Sequence, residues 1–456
     1  MKKVISIILL FVLLTSMTSC GKPGNEFVFQ KPTDELVVYY MHTLHSHSNI
    51  NNAVKMFEQE YPDVNLVVEE IDITKMILDG ETILNELEPF KKRLLTELLA
   101  GTGPDVLLWD NSFPFDDLEK AMEIDIFEDL EPYFAADATF DSDEFISGVF
   151  DAGLFSGERL FVPLNYLVPY RVTTIEAMNH YDVNYKKDMD FAYYANELQK
   201  VYAQIEGDDS RWLGLDYDNL YWYLKNDAGL RYIDYEKSEA SIDPAELKMF
   251  LDAYGPFIKL FKERIGRGIS LPAIYFGAEP EALNAGKAME MKVSPLFAGT
   301  DYFPMYFRLF LESGQTPVFC GIPHVGGGKT VAYINTAAAI VKSSKNKANA
   351  YAFLKLLLSE EITEGDSSYL SIRKGSTERR LQESADKQLK ENQQPELWKQ
   401  YSEDFLSTVT DVEIVLQSWT VRGMVEEAMM PYVLGEKSYD ECFADLEKKL
   451  QFYISE

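Results

Sequence analysis

The sequence predicts an α/β fold divided between two lobes, the first of them built on a parallel sheet. At 456 residues the chain exceeds what one hydrophobic core normally holds, so two or three compact units are expected. Its hydrophobic content of 46% is sufficient for cores of that size. From residue 36 onward, short apolar runs alternate with segments of helical periodicity. This alternation is typical of parallel strands that are connected by helices and covered by them on both faces.

The elements of the first lobe follow one another closely. Apolar runs at 36–40, 64–68 and 105–109 predict three buried strands. Between them, segments 49–61 and 90–100 place apolar residues at helical spacing and predict the two connecting helices. The order strand, helix, strand, helix, strand therefore predicts one parallel sheet.

Later segments indicate that the chain crosses between lobes several times. An acidic loop after residue 133 leads into a second, helix-rich region, and a strand near 319–323 is expected to return to the first lobe. Repeated crossings between two lobes form a hinge about which the lobes can close. We expect these lobe limits: 36–133 and 315–341 for lobe 1, and 134–314 and 342–456 for lobe 2.

The N-terminus has the order of charge, apolar core and small residues that is typical of a secretory signal peptide, predicted at 1–19. Its apolar core is too short to span a membrane, which needs roughly 20 residues. Cys20 directly follows Met-Thr-Ser, and this junction resembles the lipobox of bacterial lipoproteins. The resemblance implies cleavage before Cys20, lipid attachment to it, and a lipidated flexible spacer at 20–35. The alternative is an ordinary cleaved signal with an incidental cysteine.

Charge and cysteine content exclude some classes of partner. A formal net charge of -31 argues against binding to nucleic acid, and against binding to anionic lipid through a basic patch. Of the three cysteines, Cys320 and Cys442 remain once Cys20 is lipidated. They lie far apart in the sequence, so we expect two buried thiols, with a disulfide in an oxidising space as the alternative. No cofactor and no metal is expected.

Six segments in succession carry a family resemblance. In order they read KMFEQEYPDVNLVVEE, LLTELLAGTGPDVLLWD, GVFDAGLFSGERLFVPLNY, NAGKAMEMKVSP, AIVKSSKNKANAYAFLKLLLSEE and GEKSYDECFADLEKKLQFYISE. Together they resemble the type 1 extracellular solute-binding proteins of bacterial ABC importers, of the carbohydrate type that includes maltodextrin-binding proteins. The resemblance implies a two-lobed α/β fold of the periplasmic-binding-protein-like type II class, with a ligand cleft between the lobes and several hinge crossings.

Trp109 and Asp110 are the first candidates for ligand contact, because they directly follow a predicted strand. In open α/β sheets, ligands bind beyond the carboxyl ends of the strands. An indole offers a flat apolar plate and a neighbouring carboxylate accepts hydroxyl hydrogen bonds, a combination that suits sugar rings. Maltodextrin-binding relatives carry a tryptophan just after the same strand. The alternative is that Trp109 belongs to the core.

His45 lies in the loop after the first predicted strand, between His42 and His47. Three imidazoles this close could ligate zinc or copper, but no cysteine or acidic residue flanks them to complete a site. The loop is expected near the cleft, so we predict that His45 forms a hydrogen bond to the ligand.

Further contacts are expected by resemblance to the family. In these proteins, an aromatic residue at the start of a helix contacts the ligand, which here indicates Tyr217 and Tyr221. Relatives also place a stacking tryptophan near the C-terminus, close to Trp419, although packing in the core is an equal alternative there. Asn165 and Tyr166, in the third matching segment, complete the predicted ligand-binding set.

The predicted function is that of a receptor, not an enzyme. We expect a lipid-anchored monomer on the outer face of the bacterial cytoplasmic membrane that binds a small carbohydrate and presents it to permease subunits served by a separate ATPase. No serine-hydrolase or zinc-protease motif is present. A sensor or adhesin without a transporter is the first alternative. A secreted glycoside hydrolase is the second, although no carboxylate pair can be singled out in so acidic a chain.

Overall fold

The computed structural model of this protein describes most of the chain. Cys20, the signal segment and nearly all of the spacer lie outside the described residues, as do His45 and Tyr217. The described ranges are 32–42, 47–72, 88–110, 114–214, 218–227, 229–269, 279–293, 299–325, 328–364, 369–389, 394–416 and 418–455.

Fourteen strands are assigned within these ranges. They are β1 Glu35–His42, β2 Asn65–Asp72, β3 Val106–Asp110, β4 Leu154–Phe155, β5 Glu158–Arg159, β6 Val162–Leu167, β7 Tyr170–Thr174, β8 Ile233–Asp234, β9 Glu239–Ala240, β10 Met291–Val293, β11 Pro317–Phe319, β12 Thr330–Ile340, β13 Leu370–Ser371 and β14 Val412–Ile414.

Helices make up most of the remaining described residues. They are α1 His47–Glu60, α2 Glu88–Ala100, α3 Leu118–Glu123, α4 Glu131–Ala136, α5 Ser147–Phe150, α6 Ile175–Tyr181, α7 Phe191–Ile205, α8 Leu220–Asp227, α9 Pro244–Gly266, α10 Glu279–Asn284, α11 Tyr302–Glu312, α12 Lys347–Leu357, α13 Glu360–Thr363, α14 Ser376–Gln388, α15 Pro395–Thr410, α16 Trp419–Leu434 and α17 Tyr439–Ser455, with 3-10 turns at Ser142–Glu144 and Asp151–Gly153.

The larger sheet confirms the predicted strand–helix alternation. β1 pairs in parallel with both β2 and β3, and α1 and α2 connect them. The sheet continues in the order β13, β6, β12, β3, β1, β2, with β14 pairing with β12. β12 runs antiparallel to β3 and to β6, so the complete sheet is mixed. The prediction of an α/β fold is therefore confirmed, while the parallel arrangement holds for the first three strands and for the pair β12–β14.

A smaller sheet holds the segment that was expected to return to the first lobe. β11 pairs antiparallel with β7, and β10 pairs with the other edge of β7. The crossing to the larger sheet is instead made by β12, eleven residues of mostly buried side chains. β6, β13 and β14, which the predicted limits assign to lobe 2, pair within the larger sheet because their partner strands are there. The exact lobe limits stay a prediction.

Two hydrophobic cores organise the molecule. The first, which we call the sheet core, surrounds the larger sheet and includes Leu108, Ala338 and Phe353. The second, which we call the helical core, is built mainly from α7, α8, α9, α16 and α17, and includes Phe257 and Val425. Two separate cores are what the length of the chain led us to expect.

Cys320 and Cys442 are both buried and both free thiols, which confirms the prediction of unpaired cysteines. Burial raises the pKa of the Cys320 thiol, so it remains protonated and unreactive at neutral pH. Among the described helices, none combines the length and the apolar character that a membrane crossing requires.

Candidate ligand-binding site

A cavity of about 440 Å³ lies between the two cores. Met122 and Ile414 of the sheet core line one side of it. Leu224, Leu230 and Val421 of the helical core line the other. Ligand pockets in proteins commonly range from about 300 to 1,000 Å³. The cavity therefore has the volume and the position between lobes that a small ligand would need.

The cavity lies near the carboxyl end of the central strand β3. Tyr333 on β12 lines it, and three residues further along β12, Thr336 lies opposite Asp110, the last residue of β3. The cavity thus lies beyond the carboxyl end of a parallel strand, the edge at which ligands bind in open α/β sheets.

Arg422 is the most unusual side chain in the cavity wall. It lies in the first turns of α16, where the Ser418 side chain accepts a hydrogen bond from Val421 N at 3.1 Å and so caps the helix. Only 4% of Arg422 is exposed. Burial lowers the pKa of its guanidinium, and three nearby tyrosine side chains oppose that shift. These side chains are Tyr221 on α8, Tyr232 before β8 and Tyr333 on β12.

Some polar atoms of Arg422 and of the tyrosines around it have no hydrogen-bond partner among the described residues. Arg422 Nη1 and the Tyr232 hydroxyl are buried atoms with no hydrogen-bond partner among the described residues, whereas the Tyr221 hydroxyl interacts with the Arg422 guanidinium. Buried polar groups are otherwise nearly always paired in native proteins. A polar ligand in the cavity could form hydrogen bonds with these atoms. The part of the cavity around Arg422 is therefore the part best suited to bind a polar ligand.

The cavity wall also carries carboxylates, among them that of Glu119. Burial and the neighbouring charge of Asp117 raise the pKa of Glu119 to about 7, and Arg231 opposes this shift. Glu119 is therefore half protonated near neutral pH and mostly neutral at pH 6. The cavity wall thus combines the fixed positive charge of Arg422 with the titrating carboxyl group of Glu119.

Asp117 links the two cores through hydrogen bonds beside the cavity. Its Oδ2 accepts hydrogen bonds from the hydroxyls of Tyr235 and Tyr453, the latter at 3.0 Å. Lys120 Nζ donates to the backbone oxygen of Tyr453 at 2.9 Å and lies over its ring. Asp117 and Lys120 belong to the segment around α3, whereas Tyr235 packs in the helical core. These bonds hold the cavity walls together in this conformation.

Two of the residues predicted from the sequence lie together beside the cavity. Tyr221 and Trp419 place their ring centroids 6.2 Å apart. Trp419 is 45% exposed and is adjacent in sequence to Ser418, which lines the cavity. Tyr221 lies one helical turn before Leu224, another lining residue. An exposed indole next to a polar cavity offers the flat surface on which a sugar ring can stack.

Trp109 is located differently from the expectation of an open plate. It is fully buried, and its indole is surrounded by the rings of Phe115, Phe127 and Phe161 at 5.8 to 6.1 Å between centroids. No face of the ring is open to a ligand in this conformation, because these aromatic side chains cover it. The alternative stated above, that Trp109 belongs to the core, is the one that this packing supports.

The other predicted contacts are engaged within the protein. Asp110, fully buried, accepts a hydrogen bond from Thr336 Oγ1 at 2.9 Å. Asn165 is partly buried; its Oδ1 accepts from Thr336 N at 3.1 Å, and its Nδ2 donates to Thr336 Oγ1 at 3.2 Å. The Tyr166 hydroxyl donates to the Val409 backbone oxygen at 2.6 Å, and the residue is fully buried. These contacts join β3, β12 and β6, and a role of the three residues in ligand binding stays a prediction.

Sequence reasoning missed Arg422. A signal was nevertheless present, because Arg422, Val425 and Met429 recur at helical spacing and all three are buried. The position of this arginine on the apolar face of the helix therefore indicated a buried charge.

The chain is similar to known proteins in its fold and not in its sequence. No family model and no curated protein matches the sequence. The sugar-binding protein MalE from Xanthomonas citri is 16% identical with a TM-score of 0.56, covering 92% of this chain and 97% of its own. The GacH receptor of Streptomyces glaucescens, solved unliganded and with acarbose, is 14% identical with a TM-score of 0.55, covering 93% and 100%.

A third structure adds a different ligand to this group. The ABC substrate-binding protein Lmo0181 from Listeria monocytogenes, in complex with cycloalternan, is 12% identical with a TM-score of 0.54, covering 92% of this chain and 99% of its own. These neighbours are binding proteins and not enzymes. Because the likeness spans nearly the whole of every chain, this protein has the periplasmic-binding-protein-like fold of the sugar-binding ABC solute-binding proteins.

Proposed function

We propose that this chain is the substrate-binding receptor of an ABC importer for a sugar or oligosaccharide. The observation that carries the proposal is the polar cavity between two cores, lined by unsatisfied arginine and tyrosine groups, in a fold shared with sugar-binding receptors. Ligand binding in the cavity is accompanied by closure of the lobes about their hinge, and the closed complex is presented to permease subunits. The receptor makes and breaks no covalent bond.

Lipid attachment at Cys20 is the second part of the proposal. It is supported by the Met-Thr-Ser-Cys junction at the end of a signal-like segment. The lipid would hold the receptor at the outer face of the cytoplasmic membrane, where it meets its permease.

For the anchor, we expect Cys20→Ala to abolish incorporation of a labelled fatty acid and to shift the protein out of the salt-washed membrane fraction or into an uncleaved precursor. The measurement is metabolic labelling followed by fractionation. Cys442→Ala serves as the control, because that thiol is buried in the globular part. Labelling of the Cys20→Ala protein at the normal level would contradict lipid attachment at this residue.

For the ligand site, we expect Trp419→Ala to weaken glycan binding while the melting temperature changes little, because the indole is half exposed. By analogy with bases stacked on aromatic residues, the loss should be about 1–3 kcal/mol, or about 5- to 150-fold in Kd. A glycan is first identified by a thermal-shift screen, and its Kd is then measured by calorimetry. Small-angle scattering at saturation should show a smaller radius of gyration than in the free protein.

Trp222→Ala is the matched control. Trp222 is 39% exposed and follows Tyr221 on α8, but successive residues of a helix point in different directions. Its removal should leave the Kd unchanged. Equal weakening by both substitutions, or none by Trp419→Ala, would remove Trp419 from the site. The absence of any glycan ligand in the screen would contradict the proposed function itself.

A further inference from the structure

Arg422 presents a charge that the described residues do not neutralise. It is 4% exposed, and none of the described carboxylates lies within 4.0 Å of its guanidinium nitrogens. Glu426, one helical turn further along α16, is the acidic residue closest in sequence, and it forms no ion pair with Arg422. A buried charge without a partner costs several kcal/mol, so such groups are normally paired or bound to a ligand. Arg422 lines the cavity, where a ligand could supply the missing negative charge.

The groups around Arg422 are suited to an acceptor. The Tyr232 hydroxyl has no hydrogen-bond partner among the described residues and can donate one bond, while the Tyr221 hydroxyl interacts with the guanidinium. The guanidinium is a planar fork of N–H donors that matches the two oxygens of a carboxylate. A planar anion with two oxygens would therefore satisfy the arginine and the Tyr232 phenol together.

The acidic residues of the cavity do not compete for Arg422, because they have other partners. Asp151 forms an ion pair with Arg159 at 2.9 Å, and Asp234 pairs with Lys237. Glu236 accepts a hydrogen bond from Ser156 N at 2.8 Å. Glu119 is mostly protonated below neutral pH because burial raises its pKa to about 7. Arg422 thus has no counter-charge among the described carboxylates that line the cavity.

We propose that the ligand is an acidic sugar, an oligosaccharide containing a uronate, and that Arg422 binds its carboxylate together with the hydroxyl of Tyr232, both of which line the cavity. This inference rests on the proposed function and narrows it from sugars in general to those that carry a carboxylate. The inference also gives the two parts of the site different roles in binding. The exposed Trp419 stacks on a sugar ring, and the buried arginine selects the charge.

The test compares each acidic glycan with its own methyl ester, which keeps the shape and removes the charge. The probes are oligosaccharides of galacturonate, glucuronate and mannuronate, their methyl esters, and neutral malto- and manno-oligosaccharides. Calorimetry is carried out at pH 6, where Glu119 is mostly neutral. We expect at least one free acid to bind about 10- to 150-fold more tightly than its ester, the range for a hydrogen bond to a charged group.

Three variants test whether Arg422 and Tyr232 cause the tighter binding of the acid than of its ester. Arg422→Met should abolish the difference between acid and ester, and Arg422→Lys should retain part of it, because one ammonium replaces the planar fork. Tyr232→Phe removes only a hydroxyl and should weaken the acid more than the ester, which keeps the test open should Arg422→Met fold poorly. Arg231→Met is the matched control. It removes another arginine of the cavity wall, but one that is exposed and paired with Glu413, so the preference should persist.

The outcomes separate the two proposals. Equal binding of acid and ester, or tightest binding of a neutral glycan that Arg422→Met does not affect, overturns the acidic ligand and leaves the sugar receptor standing. An acid preference that Arg422→Met retains, or that Arg231→Met also removes, overturns the assignment to Arg422. If none of the glycans binds, the proposed function fails, and the inference that depends on it fails with it.

Discussion

Replacing Glu290 with glutamine is expected to lower the free energy of unfolding by about 3–5 kcal/mol, because it removes a buried negative charge that faces the buried guanidinium of Arg171. The side chains of Arg171 and Glu290 are 1% and 0% exposed, and Arg171 Nε lies 3.3 Å from Glu290 Oε1. The Tyr194 hydroxyl donates to the same oxygen at 2.8 Å, and Arg171 Nη2 donates to the Tyr254 hydroxyl at 2.9 Å. Glutamine preserves the volume of the side chain, so the loss reports the charge.

The double variant Arg171→Met/Glu290→Leu provides the control for this prediction. It removes both charges and fills their place with apolar atoms, so it should be more stable than Glu290→Gln alone. Urea unfolding at pH 7, followed by circular dichroism in the far ultraviolet, measures both. A double variant less stable than the single one would show that the shape of this pair, and not its charge balance, holds the helical core together.

The elements that the sequence predicted correctly are those with a local signal. β1, α1 and β3 each carry their own apolar period, so their existence and order followed from short stretches of chain. The pairing of β12 between β3 and β6 has no such signal, because it joins residues as distant as Asp110 and Thr336. β11 is three residues long, too short to indicate which sheet it joins. Long-range pairing is therefore where the sequence-based fold was incomplete.

The same distinction explains the candidate site. Trp109 was correctly located at the end of a strand, but its burial depends on aromatic residues that lie as far along the chain as Phe161. Arg422 lies on the apolar face of its helix, a local signal, but the tyrosines that surround it come from α8 and β12, which are distant in the sequence. The location of Tyr221 and Trp419 beside the cavity could be predicted by resemblance to a family. The charge balance of the cavity could not, because it is a property of residues brought together from distant parts of the chain.

Replacing Trp109 with alanine is expected to lower the free energy of unfolding by about 3–5 kcal/mol, the usual cost of removing a large aromatic side chain from a core. The indole is fully buried and stacks on Phe127 at 6.1 Å, so its removal leaves a cavity that the rigid sheet cannot close. Affinity for a glycan should stay unchanged, since the ring faces no part of the cavity between the cores.

Trp109→Phe separates packing from hydrogen bonding at this position. Trp109 Nε1 is a buried atom with no hydrogen-bond partner among the described residues, so phenylalanine removes an unsatisfied donor while it retains most of the aromatic surface. It should therefore cost less than half as much stability as alanine, in the range of about 1–2 kcal/mol for a partial reduction of core volume. Unfolding and calorimetric affinity are measured on one preparation of each variant. If Trp109→Ala instead lowered the affinity and left the unfolding midpoint in place, Trp109 would be a ligand-stacking residue, and the protein would have to open this part of its sheet core to bind sugar.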